Sequence, residues 1–169
     1  MVQEYKRILV PVDGSEEAEL ALNKAVWVAK MNQARLDILN VLDTKQFAGS
    51  YSGMLSGDAI FQISEDAQNY LNSLKYDIQT NDGLKDVEIH VRFGNPKNVI
   101  ARDFPTEYQT DLIMMGSTGL NAVERMLMGS VTEYVNRTAI CDVLIVKTDV
   151  ENRPYQKASK KKINNNPKG

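Results

Sequence analysis

Chemistry in this chain has few candidates, and they lie where apolar runs end. Asp13 follows Arg7 to Val12 (RILVPV), within Pro11-Val12-Asp13-Gly14-Ser15. Farther on, Gly116-Ser117-Thr118-Gly119 follows Asp111 to Met115 and continues to Gly129-Ser130-Val131-Thr132, a G-x2-G-x9-G-S-V-T spacing. Glycines let backbone N–H groups approach an anion closely, and a helix opening at Gly129-Ser130 would direct free N–H groups and its dipole at a phosphate. The Ser130 and Thr132 hydroxyls could add donors. The same residues also read as a glycine turn followed by an ordinary Ser N-cap. Asp13 likewise has two readings: a carboxylate accepting from a vicinal diol, as acidic residues do in dinucleotide folds, or a residue stabilising a helix N-terminus.

Other reactive side chains offer less. His90 is the only histidine, on the polar side of the alternating EIHVRF segment, where a solvated edge position is expected. A His–His metal pair is impossible, and a mid-strand His90 is badly placed for a hydrolytic triad. Cys141 is the single cysteine, so there is no disulfide framework and a reducing, cytoplasmic compartment fits. Neither G-x-x-x-x-G-K-[ST] nor G-x-G-x-x-G occurs. Arg125 reads equally as a phosphate contact or as a solvated loop residue. Met114, Met115, Met126 and Met128 read first as adaptable packing, with Met115 placed to touch a ligand.

The elements that must position these residues alternate. Strands are expected over Arg7 to Asp13, Arg35 to Leu42, Val87 to Phe93, Asp111 to Gly116 and Val143 to Val146, with helices at roughly 16–32, 59–80, 96–108 and 130–139. Ser15 is the expected cap of the first helix. The segment Asp43 to Asp58, with three glycines and three serines, reads as a long loop in which Phe47, Tyr51, Met54 and Leu55 have something to bury. Strands alternating with helices imply a single doubly wound α/β domain, its parallel sheet covered on both faces. Ligands of such sheets bind beyond the carboxyl ends of the strands.

With 169 residues, the chain has the size of one domain. We expect that domain at 1–148 and a polar basic tail at 149–169. The tail has six Lys or Arg against two acids, so the overall charge of −2 leaves −6 on residues 1–148. That balance does not suit a nucleic-acid binder. No run of about 18 apolar residues occurs, so no membrane span or targeting segment is expected.

Three segments, KRILVPVDGSEEAELAL, GNPKNVI and DLIMMGSTGLNAVERMLMGSVTEYVNRTAICDVLIVK, together resemble the universal stress proteins, specifically their ATP-binding branch, over residues 6–147. The resemblance implies a five-stranded parallel sheet of order 3-2-1-4-5 and a homodimer pairing through Val143, Leu144, Ile145 and Val146. It also implies ATP, with Mg2+ or Mn2+ on its phosphate oxygens, between the first and fourth strands. Asp13 would hold the ribose, and Pro11, Val12 and Val41 would line the adenine pocket. Gly116, Gly119, Gly129, Ser130, Val131 and Thr132 would cradle ribose and phosphates, flanked by Met115 and Ser117. One departure is Cys141-Asp142-Val143, where family members often read Cys-Pro-Val.

The function so implied is a nucleotide-dependent stress-response switch. A slow ATPase or a nucleotidyl or phosphoryl transferase on the same fold is the enzymatic alternative, although the sequence names no base for an attacking water. A partner-binding dimer that needs no nucleotide is the third reading.

Overall fold

The structure is a computed structural model that describes residues 4–46, 56–119 and 128–155. Five parallel strands, β1 (Arg7–Pro11), β2 (Arg35–Leu42), β3 (Val87–Phe93), β4 (Leu112–Gly116) and β5 (Asp142–Val146), form one sheet in the order β3-β2-β1-β4-β5. Chain order runs outward from β1 to β3 and then jumps back to β4 on the other side of β1. The neighbours β1 and β4, paired at Ile8 with Leu112 and Leu9 with Ile113, therefore flank the point where strand order reverses.

The first helix, α1 (Glu16–Asn32), is capped as its sequence suggests: Ser15 Oγ accepts the Ala18 N–H at 3.2 Å. Its Ala18, Ala21, Leu22, Ala25, Val26 and Ala29 side is buried. The second, α2 (Gly57–Asp77), runs on through a π-helical turn at Ile78–Asp82 and stops at Gly83, whose φ of 72° is the left-handed geometry that glycine adopts without strain. Together α1 and α2 cover one face of the sheet, enclosing Ile8, Val10, Leu36, Ile38 and Met114.

The other face is covered by the chain after β3 and by α5 (Ser130–Thr138), over Leu9, Leu39, Ile113 and Met115. The helix expected at 96–108 is found over that span, and its one departure from α-helical geometry is a π-helical turn at Val99–Asp103 between α3 (Pro96–Asn98) and α4 (Phe104–Tyr108). Pro105 is the physical reason, because it has no N–H to give the carbonyl four residues earlier. That carbonyl belongs to Ala101 and instead accepts the Ile140 N–H at 3.3 Å, from the connection leading into β5.

β3 is an edge strand as its alternation implies, and Glu88 on its polar side is exposed, but His90 is not. His90 is only 11% exposed at its side chain, and its Nε2 lies 2.9 Å from Oδ1 of the fully buried Asp37. The rings of Phe104 and Tyr108 meet the imidazole edge-on at 4.8 and 4.7 Å. The expectation of a solvated His90 is corrected: α4 covers that face, and Asp37 of the neighbouring strand supplies the polar partner. Arg35 Nε donates to the same Asp37 oxygen at 3.1 Å.

Candidate functional site

A cavity of about 380 Å3 opens beyond the carboxyl ends of β1 and β4. Its walls include Pro11, Val12 and Asp13 at and after the end of β1, Leu39 and Val41 of β2 with Asp43 just after it, Asn95, Pro96, Lys97 and Ile100 after β3, Met115 and Gly116 at the end of β4 with Thr118 and Gly119 after it, and Gly129 to Thr132 at the start of α5. Of the site residues read from the sequence, Ser117 alone does not line it. Its carbonyl instead accepts the Gly129 N–H at 2.8 Å, which ties the two ends of the glycine-bearing connection together.

Asp13 is exposed and lies before the cap of α1 rather than forming it. Its Oδ1 accepts the Ser15 N–H at 3.0 Å, fixing the turn between strand and helix. Its Oδ2 faces Gly119, where an added Cβ would stand 2.5 Å away. Gly116 is required for a different reason: a Cβ there would lie 2.7 Å from the Glu17 carbonyl oxygen, so its absence lets β4 and α1 approach. Thr118 follows, and its hydroxyl donates to Glu17 Oε1 at 3.2 Å.

Gly129, by contrast, adopts an ordinary extended φ of −71°, and an added Cβ would meet Thr118 Cα at 3.4 Å. It is the N-cap of α5, and no side chain caps that helix. The reading of Ser130 as the cap is therefore set aside. A helix leaves the N–H groups of its first turn without intrahelical acceptors, so α5 presents donors and the positive end of its dipole to the cavity. Thr132 does not add its hydroxyl to them. It is buried, and Oγ1 donates to the Gly116 carbonyl at 2.9 Å, which pins the start of α5 to the end of β4.

Asp43 and Thr118, in strand-end segments read from the sequence but given no role, also line the cavity, whereas Gln46 and the Asn95-Pro96-Lys97 turn were missed by reading the sequence. Lys97 is the only cation lining the cavity among the described residues. The strand-end rule applied to β3 as well as to β1, β2 and β4 would have found it. Arg125 and Met126 lie outside the described residues, as do Phe47, Tyr51, Met54 and Leu55. Met128 is half-buried. Among the described residues, no group of three or more His, Cys, Asp or Glu is arranged to hold a metal ion, and no helix is long and apolar enough to cross a membrane.

Away from the cavity, Cys141 is half-buried before β5, and burial followed by the nearby Asp111 and Asp142 carboxylates pushes its thiol up to about 11. The segment after β5 turns back on α1. Lys24 Nζ donates to Thr148 Oγ1 at 2.6 Å and Asn152 Oδ1 at 3.0 Å, and the Tyr155 hydroxyl bonds to Glu16.

Comparison with known proteins agrees with this architecture. A universal stress protein of Staphylococcus aureus strain USA300 is 48% identical over 147 residues, covering 86% of each chain. The solved universal stress protein UspA from Lactobacillus plantarum superposes with a TM-score of 0.70 at 29% identity, over 86% of this chain and 99% of that one. Another solved universal stress protein, in complex with cAMP, gives 0.61 at 25% identity over 85% of this chain and 98% of its own. The description of the universal stress protein family matches residues 4–147, and the chain belongs to that family.

Proposed function

We propose that this protein is an ATP-binding member of the family and acts as a nucleotide-dependent stress-response switch. The observation that carries the reading is the meeting, in one cavity at the reversal of strand order, of the Asp13 carboxylate and the uncapped start of α5. Asp13 suits a ribose diol. Pro11, Val12, Val41 and Met115 offer an apolar wall for adenine. The N–H groups around Gly116, Gly119, Gly129, Ser130 and Val131 suit phosphates, which also favour a helix N-terminus. Gly119 fits the assignment because a side chain there would take the space beside Asp13. The related protein in complex with cAMP gives further, coarser support for an adenine nucleotide.

Mg2+ or Mn2+ would be held mainly on the phosphate oxygens, where it neutralises charge. The working unit in this proposal is a cytoplasmic homodimer of domains spanning 1–148, joined through β5, with 149–169 as a basic appendage. β5 is an edge strand with Leu144 44% exposed, and Leu144 lines a surface groove together with Trp27 of α1, which is 61% exposed.

The first test is to denature freshly purified protein and identify any released nucleotide by mass spectrometry, quantified per chain. Near-stoichiometric ATP is expected. ADP would move weight toward turnover, and no nucleotide, with none taken up from Mg-ATP, would overturn the proposal.

A further inference from the structure

The turn after β3 places a charge where the nucleotide reading needs one. Asn95 Oδ1 accepts the Lys97 N–H at 3.0 Å, and Pro96 opens α3, so the backbone that carries Lys97 is fixed by its two predecessors. The Lys97 ammonium lies 5.8 Å from the ring centroid of Tyr134 on α5, within the range of a cation–π contact. The Tyr134 hydroxyl in turn donates to Asn98 Oδ1 at 3.1 Å. The half-buried lysine is thus held between α3 and the first turns of α5 while lining the cavity.

Charge gives that placement a use. Two carboxylates, Asp13 and Asp43, line the cavity, and Lys97 is the only cation among its described residues. A nucleotide brings further negative charge, whereas adenosine brings none. The start of α5 supplies only a partial positive charge, about half an elementary charge. A full cation at a partly desolvated wall interacts more strongly with phosphate than an exposed one does.

We propose that Lys97 reads the phosphate charge of the ligand and selects phosphorylated adenosine over the uncharged nucleoside. The assignment rests on the nucleotide reading and deepens it, by naming a specificity-determining residue outside the glycine-bearing connection.

The test is calorimetric titration of ATP and of adenosine into the full chain and into Lys97→Gln and Lys97→Arg, at low and moderate salt. Lys97→Gln is expected to weaken ATP about tenfold, the size of one charge-assisted hydrogen bond, and to flatten the salt dependence. Its adenosine affinity should stay within about twofold, which also shows that the variant is folded, and Lys97→Arg should recover most of the ATP affinity. An unchanged ratio of ATP to adenosine affinity in Lys97→Gln, with wild-type protein binding both, overturns the role of Lys97 and leaves the nucleotide reading intact. Wild-type protein that binds neither removes both.

Discussion

Gly119 and Asp13 are in contact across the mouth of the cavity: a Cβ on the glycine would come within 2.5 Å of the aspartate Oδ2. The clash is with the end of an exposed side chain rather than with backbone, so Gly119→Ala should cost the fold about the worth of the Asp13–Ser15 hydrogen bond, about 1 kcal/mol. It should nevertheless displace the carboxylate proposed to hold the ribose. We expect ATP affinity to fall at least tenfold in Gly119→Ala, with the urea midpoint only slightly lowered. Asp13→Asn keeps an acceptor for the Ser15 N–H but removes the charge, and should lose about 10- to 100-fold, the scale of a hydrogen bond to a charged group. Wild-type affinity in both, measured by calorimetry, would defeat the assignment of Asp13.

Thr132 and Ser130 should separate stability from binding. The Thr132 hydroxyl is committed to the Gly116 carbonyl inside the protein. Thr132→Val should therefore cost about 1–2 kcal/mol in urea denaturation, because it removes a buried hydrogen bond, while ATP affinity changes by less than about twofold. Ser130 is exposed at the first turn of α5, so Ser130→Ala should show the opposite pattern. Equal loss of affinity in both variants would return the Thr132 hydroxyl to the ligand.

Cys141 supplies a pH readout. Its thiol is raised in the folded protein from an ordinary value near 9 to about 11. The folded state favours the neutral thiol, so the contribution to stability is fully present below about pH 9 and is lost as pH rises through about 11. Iodoacetamide labelling at pH 8 should be at least tenfold slower in the folded protein than in urea, since the thiolate is the nucleophile. As the chain has a single cysteine, mass spectrometry reads this site alone. Equal rates would contradict the placement of Cys141.

The proposed dimer can be tested at β5. Charged residues, lysine above all, block pairing along exposed strand edges. Leu144→Lys should convert the protein to a monomer in light scattering after size exclusion, and its fold should survive because Leu144 is exposed in the single chain. An unchanged dimer would place the interface elsewhere, and a wild-type monomer would remove it.

Much of the fold was legible because the strands are short runs, continuous and apolar or, in β3, alternating, and are bounded by turn chemistry. β2 falls at Arg35–Leu42 and α1 at Glu16–Asn32, as their sequences suggest. The cavity was legible where a strand end carries glycine or aspartate. His90 was misread because alternation reports residue type along one strand and is blind to Phe104 and Tyr108 covering it from another element. Lys97 was missed because the strand-end rule was not carried to β3; only its place beside Tyr134 of α5, set by the crossover after β3, is not encoded in local spacing. The π-helical turn in the third helix was written in Pro105, whose missing donor matters only once Ala101 is seen to take its bond from Ile140.

The cavity walls come from stretches of chain between Pro11 and Thr132 that are joined only by the completed sheet. Such distant contacts pay loop-closure entropy before they gain anything, so β1 and β4 meet late relative to local helix formation. No fragment ending before β4 can contain the site. During synthesis, the chain would therefore acquire its ligand only after nearly the whole domain has emerged. A ligand that binds only this closed form would then act as a clasp, slowing the separation of β1 from β4 and with it the exposure of the sheet to proteases.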